Sequence, residues 1–342
     1  MAFAMADANL HRINEQRRIQ KFGHGRPLVH TNHQGKKVVA VGSEVFFGDW
    51  KTPVDFLEDY IKRVLTPAWG KAELAKPFAE RHVVLQWYDS LCKLQAQQTP
   101  DADGIYRMVP NGAALCYLLL AYDLFTLRQH EALQASLVTR LRNKDQFQGA
   151  RHELFAIAIC IRAGYSIDYE DESDGSRRHV ELNATHRATG QKIAVEAKSR
   201  HRPGILGRTG NRVPDEQVQV GIRGLIKDAL GKPAANPYVL FLDLNLPPNS
   251  VAPLTQEWFD TIGGPVVNEF GDEHGHDPWN LLLFSNIPHH YGDDASIAPS
   301  GNVVGLVGKN PKLAEQHPEA VRAVFDAALK FGNLPRIFEE MQ

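Results

Sequence analysis

Two carboxylates and one lysine stand at spacings suited to phosphate chemistry. Glu196 and Lys198 are separated by one residue, and Glu181 lies fifteen positions before Glu196. Side chains two positions apart point to the same face of a β-strand. Carboxylate oxygens are preferred ligands of Mg²⁺, and a nearby ammonium group stabilises negative charge that develops on a reacting phosphate. These three residues are therefore predicted to form a metal-dependent hydrolytic site.

A β-hairpin over residues 179–202 is predicted to bring these residues together. With Thr189 and Gly190 as a two-residue turn, Glu181 faces Lys198 and Asn183 faces Glu196. Alternation along each strand then separates two faces. The polar face carries those four residues, and the apolar face carries Val180, Leu182, Ala184, Ile193, Val195 and Ala197.

The elements around the hairpin follow an order typical of an α/β layer domain. Residues 146–163 form an amphipathic pattern that ends at Gly164, a favourable residue after a helix C-terminus. Strand-like runs follow at 165–169, 179–185 and 192–198. A helix beginning near Pro214 and a buried strand at 238–244 come next. Apolar runs follow at 281–284 and 303–307, and a final helix is predicted at 318–331.

This order and the Glu-x-Lys spacing resemble the PD-(D/E)XK nuclease superfamily. The resemblance implies a restriction-endonuclease-like core and an endonuclease that hydrolyses phosphodiester bonds with Mg²⁺ or Mn²⁺. It favours DNA as the substrate, and the sequence does not exclude RNA. It places the metal on Glu181, Glu196 and the carbonyl of Ala197. Lys198 would position water or balance charge, and Glu153 on the first helix would act as a further ligand or through a water.

The sequence departs from the family pattern at the upstream acid. The family usually has Asp there, often after Pro, whereas this chain has Val180 followed by Glu181. Asp171 or Asp174 is an alternative ligand. Two other interpretations remain open: a cross-strand salt-bridge cluster on a solvated face, or a catalytically inactive nuclease-fold protein that binds nucleic acid or a protein partner.

A basic, glycine-rich segment follows the predicted site. The net charge of the chain is −2, so a polyanion would have to be held by a local basic patch. Residues 198–212 contain no acid and could grip phosphates. Gln217, predicted on the next helix, is a further candidate. The predicted substrate-binding residues are Arg200, His201, Arg202, Arg208, Arg212 and Gln217.

The change of pattern near residue 145 predicts two domains. Residues 1–145 are predicted to be mainly helical with a β-hairpin (37–41 and 44–47), and residues 146–342 to form the nuclease-like α/β domain. An N-terminal helix or loose arm is expected over 1–27, and helices at about 52–64, 77–94, 113–124 and 130–142. Three roles remain open for this region: recognising DNA, forming a homodimer, or contacting a protein partner.

Composition and motifs give no support to several other classes of protein and of active site. The hydrophobic fraction of 43% is that of a globular protein. No signal peptide or membrane span is expected, and three unpaired cysteines fit a reducing cytoplasm. No P-loop or Gly-x-Ser-x-Gly motif supports ATPase or serine-hydrolase chemistry. Histidine-centred metal sites are weaker candidates: His274 and His276 with Asp272, Glu273 and Asp277; His289 and His290 with Asp293 and Asp294; and His30 with His33.

Overall fold

The N-terminal half combines helices with a small sheet. In the computed structural model, residues 2–169, 180–219, 221–247, 264–287 and 303–342 are described, with side chains from residue 12 onward. Strands β1 (Val29–His33), β2 (Lys36–Val41) and β3 (Glu44–Gly48) pair antiparallel in that order. The helices are α1 (Ala2–Phe22), α2 (Pro53–Val64), α3 (Pro67–Leu74), α4 (Val83–Ala96), α5 (Gly112–His130) and α6 (Ala135–Arg142).

Local sequence signals account for several of these boundaries. Thr52 and Asp55 form a capping box at the start of α2, in which each side chain accepts a hydrogen bond from the other residue's backbone N–H. Helix α5 is buried nearly all round, as its continuous apolar sequence requires. Helix α7 (Phe147–Arg162) is also buried, and Gly164 follows it at φ +95°. Because that conformation favours glycine, the chain can turn there into the next strand.

A six-stranded mixed sheet carries the predicted site residues. Strands β4 to β6 form an antiparallel meander, β7 and β8 continue in parallel with β6, and β9 is antiparallel to β8. The strands lie in sequence order. They are β4 (Tyr165–Tyr169), β5 (Leu182–His186), β6 (Lys192–Ser199), β7 (Tyr238–Asp243), β8 (Leu281–Ser285) and β9 (Val303–Val307).

Helices cover both faces of this sheet. Helices α7 and α10 (Pro318–Ala328) share one apolar cluster with Val195 and Phe241. Helix α8 (Ile222–Leu230) and the short α9 (Gly264–Val267) share a second cluster with Ala194 and Leu240. Strand β7 is buried on both faces, which explains its continuous apolar sequence. The fold is therefore mixed α/β, with a helical layer on each side of the larger sheet.

Most predicted elements are present, and several differ from the prediction. The predicted helix at 77–94 is interrupted: a 3₁₀ turn (Phe78–Glu80) precedes α4, whose N-cap is His82. Helix α3 and strand β1 were not predicted. The segment after Pro214 forms only a 3₁₀ turn (Asp215–Gln217), and α8 begins later at Ile222. Residues 2–22 form a helix rather than a loose arm.

The boundary proposed near residue 145 does not separate two apolar cores. One cluster contains side chains from both sides of it, including Leu120 and Phe125 of α5 and Ile157 of α7. The two-domain division stays a prediction. Among the described helices, none is long and apolar enough to cross a membrane.

Candidate functional site

The hairpin between β5 and β6 has a different register from the predicted one. Leu182 pairs with Val195 and Asn183 with Ala194, a shift of two residues. The reason is a longer turn, closed by the His186 N–H donating to the Gln191 carbonyl at 2.8 Å. Because the shift is even, the residues of β5 and β6 that share a face of the sheet are the same as predicted. The shift brings Glu181 opposite Glu196 instead of Lys198.

Glu181 lies in a bend one residue before β5. The regular alternation of the strand therefore does not extend to Val180, which packs in the cluster under α8 and not with Leu182 as predicted. The Glu181 backbone N–H donates to Glu196 Oε2 at 3.1 Å. The bend thus holds both acids at one place beside the sheet.

Glu196 forms the buried centre of an acid–lysine cluster. Its side chain is fully buried, whereas that of Lys198 is 30% exposed. Lys198 Nζ lies 2.7 Å from Glu196 Oε1. The sequence analysis predicted these three side chains to be neighbours, and the structure brings Glu181, Glu196 and Lys198 together.

A second lysine, which the sequence analysis missed, joins the two acids. Lys232 Nζ lies 2.9 Å from Glu196 Oε1 and 3.3 Å from Glu181 Oε2. Burial alone would lower the pKa of Lys232, but the hydrogen bonds and negative charges of Glu196 and Glu181 outweigh it and raise that pKa. The Lys232 ammonium is therefore a permanent positive charge between two carboxylates at neutral pH.

The crossover from β6 to β7 explains how Lys232 reaches the acids. Because these strands are parallel, the chain must return along α8 to the end of the sheet where both begin. Ala194 pairs with Tyr238 there. Lys232 stands in the turn between the end of α8 and β7, so its side chain arrives close to Glu196. A lysine in the turn before a parallel neighbour of β6 is therefore expected near the first residues of β6, and this rule could have identified Lys232.

Glu153 lies on the helix that covers the opposite face of the sheet. Its carboxylate forms a two-pronged ion pair with Arg140 of α6, at 2.5 and 2.8 Å. Glu196 faces the α8 layer, since it lies two positions after Ala194 of that cluster and therefore on the same face of β6. Glu153 therefore joins α7 to α6 through this ion pair, and its role as an additional metal ligand stays a prediction.

The carbonyl of Ala197 points toward the side of β6 where β5 ends. Ala194 N–H donates to the Pro237 carbonyl, and Arg200 N–H donates to the Asp243 carbonyl. Even-numbered residues of β6 therefore bond to β7, and Ala197 must direct its backbone groups the other way. Its position lies beyond the last registered pair, Leu182 with Val195. This orientation is compatible with the predicted backbone ligand.

The basic segment after β6 is a folded loop with internal partners. Arg202 is buried, and its guanidinium pairs with Asp215 at 3.0 Å. Its backbone N–H donates to Gln148 Oε1 of α7 at 2.8 Å. Arg208 donates to the backbone carbonyl of Asp145. Arg202 and Arg208 therefore fasten the loop, and their role as phosphate ligands stays a prediction.

The remaining candidates of this segment are more accessible. Arg212 is 55% exposed and pairs with Asp215 at 2.7 Å, and Gln217 is exposed in the 3₁₀ turn. Arg200 is half-buried beside the end of β7, where its N–H bonds Asp243. Burial, with the charges of Arg208 and Lys198, lowers the pKa of His201, which is therefore neutral at pH 7.

A wide groove separates this loop from the N-terminal helices. It has a volume of about 720 Å³. Gly204 to Gly207 and Arg212 line one wall, and Trp87 and Lys93 of α4 line the other. The groove brings the helical region to the same surface as the basic loop.

The histidine clusters have ordinary structural roles where the structure describes them. Asp272 Oδ1 accepts the backbone N–H groups of His274 and His276, and Asp277 Oδ2 accepts those of Lys309 and Asn310. These acids therefore stabilise turns. The alternatives Asp171 and Asp174, and the His289, His290, Asp293 and Asp294 group, lie outside the described residues.

The donor chemistry at the acid–lysine cluster fits a hard divalent cation. Glu181 and Glu196 already converge on one cationic group, the ammonium of Lys232. Within the described ranges, no three His, Cys, Asp or Glu side chains form a metal-binding group. Protein side chains would therefore supply two carboxylates, and water, backbone carbonyl and phosphate the remaining ligands, which is the usual coordination of Mg²⁺.

Comparisons of the chain with family models, with curated proteins and with solved structures find no match.

Proposed function

We propose that the protein is a metal-dependent nuclease with a restriction-endonuclease-like core of the PD-(D/E)XK kind. The observation that carries this proposal is the convergence of Glu181, Glu196 and Lys198 at one end of the β5–β6 hairpin. Helix α7, the β4–β6 meander, helix α8 and strand β7 surround them in the order that the family resemblance requires. A site of this composition suits hydrolysis of phosphodiesters.

Each residue of the site has a distinct task in this proposal. Glu181, Glu196 and the Ala197 carbonyl hold Mg²⁺ or Mn²⁺; when bound, the ion supplies Lewis-acid polarisation of the phosphate and lowers the pKa of a coordinated water. Lys198, held at 2.7 Å by Glu196, orients the water and balances the charge that develops on the phosphate. The water oxygen would bond to phosphorus and release a proton to solvent, the bond from phosphorus to the leaving sugar oxygen would break, and that oxygen would take a proton from solvent.

DNA is the proposed substrate, approached from the side of the basic loop. Arg212 and Gln217 are exposed there, and Lys93 stands on the opposite wall of the groove. Since phosphate contacts fix position and not sequence, these groups would hold the backbone of the nucleic acid. The protein is therefore proposed to act as an endonuclease whose sequence preference is set elsewhere on its surface.

Cleavage of DNA tests the proposal. Supercoiled plasmid and single-stranded DNA are incubated with Mn²⁺ and either wild-type protein, Lys198→Ala or Lys227→Ala. Lys227 is exposed on α8 and serves as the matched lysine control. We expect cleavage by the wild type and the control, and a loss of about 100-fold or more in Lys198→Ala. Equal cleavage by all three proteins, or none by any, would contradict the nuclease assignment.

A second candidate is a catalytically inactive nuclease-fold protein that binds nucleic acid or a protein partner. The observation that favours it is the pairing of both acids with Lys232, which gives the cluster a stable arrangement without any metal. DNA binding that is equally strong with and without Mn²⁺, in a protein that does not cleave, would identify this function.

A further inference from the structure

The two lysines of the cluster occupy different positions relative to the acids. Lys198 contacts Glu196 Oε1 from the strand that carries both residues. Lys232 contacts Glu196 and Glu181 together, at the point where their carboxylates converge. A divalent cation shared by these carboxylates requires the same location. The ammonium of Lys232 and such a cation therefore compete for one place.

The charge of the cluster leads to the same conclusion. Two carboxylates and two ammonium groups sum to zero, and a neutral site offers little net attraction to a divalent ion. If Lys232 leaves, the remaining charge is negative, and the attraction is strong because Glu196 is fully buried in a medium of low effective dielectric constant. Metal binding thus favours displacement of one lysine.

Lys232 is the lysine that can leave. It stands in a turn outside the regular elements, after α8. Its long flexible side chain can turn its ammonium into water, where the charge is well solvated. Lys198, by contrast, belongs to β6, which is paired with β7 along its length at this point.

We propose that Lys232 is an intrinsic competitor of the divalent metal: its ammonium occupies the cation position between Glu181 and Glu196 and is displaced when Mg²⁺ or Mn²⁺ binds. This inference rests on the proposed function and adds a regulatory property to the same site. Metal-free protein keeps its acids paired, so the site does not require a metal to remain folded. Occupancy then depends on the concentration of free divalent ion, with a threshold set by Lys232.

Direct metal titration tests this proposal without recourse to DNA cleavage. Binding of Mn²⁺ is measured by calorimetry and by the electron paramagnetic resonance signal of free Mn²⁺ for wild type, Lys232→Gln, Lys232→Arg and Lys227→Gln. Removing a positive charge from contact distance should tighten Mn²⁺ binding about tenfold or more in Lys232→Gln. Lys232→Arg keeps the charge and Lys227→Gln changes a lysine away from the site, so both should bind as the wild type does.

Thermal unfolding provides a second readout if Lys232→Gln is unstable. Its two carboxylates lack their shared cation, so saturating Mn²⁺ should raise its Tm more than that of the wild type. Equal Mn²⁺ affinity in wild type and Lys232→Gln would overturn the competition while leaving the metal site intact. Absence of binding in both would overturn the competition and the metal-dependent nuclease proposal together.

Discussion

Side chains of the same type in the basic loop have different physical roles. Arg202 is almost fully buried and joins the loop to α7 and to the turn at Asp215. Arg212 shares Asp215 but projects into solvent. Removing one partner of a buried ion pair strongly destabilises the folded protein, because the other charge is left uncompensated. An exposed ion pair contributes little to the stability of the fold. The composition of the segment predicted its positive charge, but it did not predict which arginines are buried and which are exposed.

Alanine substitutions separate the two roles. Arg202→Ala should lower the free energy of unfolding by about 2 kcal/mol, because it leaves Asp215 and the loop without their buried partner. Arg212→Ala should change it by about 0.5 kcal/mol or less and should instead reduce the salt dependence of DNA binding by about one phosphate contact. Denaturant unfolding and fluorescence anisotropy at several salt concentrations measure both quantities. Equal stability losses in the two variants would contradict the assignment.

Prediction at the residue scale succeeded where strand alternation alone decides the geometry. The alternation placed Glu196 and Lys198 on one face of β6 and Val195 on the other, and the structure agrees. It could not find Lys232, which comes from a turn 36 positions after Glu196. Such a contact depends on the path of the crossover helix and not on any local pattern. The helix that carries Glu153 was predicted correctly, but its ion pair with Arg140 was not.

Elements were predicted best where hydrophobic periodicity and end signals agree. Strand β4 and the hairpin of β2 and β3 lie where the sequence placed them, and Gly164 ends α7 as expected. The β5–β6 register was wrong, because the turn is closed between His186 and Gln191. The interruption before α4 was also missed, because His82 is an uncommon N-cap. Turn length and unusual caps depend on tertiary contacts that the sequence pattern does not contain.

The unusual cap of α4 predicts a pH-dependent contribution to stability. Burial lowers the pKa of His82 to about 4, compared with about 6.5 in an unfolded chain. Between these values the unfolded state binds more protons than the native state. The contribution of His82 is therefore complete above pH 6.5 and is lost as the pH falls, at about 1.4 kcal/mol per pH unit.

The variant His82→Asn isolates this effect. Asn is a favourable N-cap but does not titrate, so its unfolding free energy should depend less steeply on pH between 6.5 and 4.5. The buried His130, whose pKa is lowered to about 3 by burial and by neighbouring arginines, contributes the same slope to both proteins. Denaturant unfolding at several pH values gives the comparison. Parallel pH profiles for the two proteins would show that His82 is protonated in the native state.

The whole molecule joins the helical half to the mixed sheet around a shared apolar cluster. Helix α5 packs in this cluster beside α7, which also covers the larger sheet. The groove between α4 and the basic loop lies along the same junction. With a net charge of −2, any attraction to a polyanion would have to come from a local basic patch. If the protein is the nuclease proposed above, this groove would favour recognition of the substrate among the three roles left open for the N-terminal half.

The proposed function requires Glu181 and Glu196 to share a divalent cation. The most direct measurement is the anomalous difference density of a protein crystal soaked in Mn²⁺. We predict a peak between the two carboxylates, about 2.0–2.4 Å from their oxygens, with the Lys232 ammonium turned away from its present contacts. A map with no peak there at saturating Mn²⁺, and with Lys232 still joining both acids, would contradict the account.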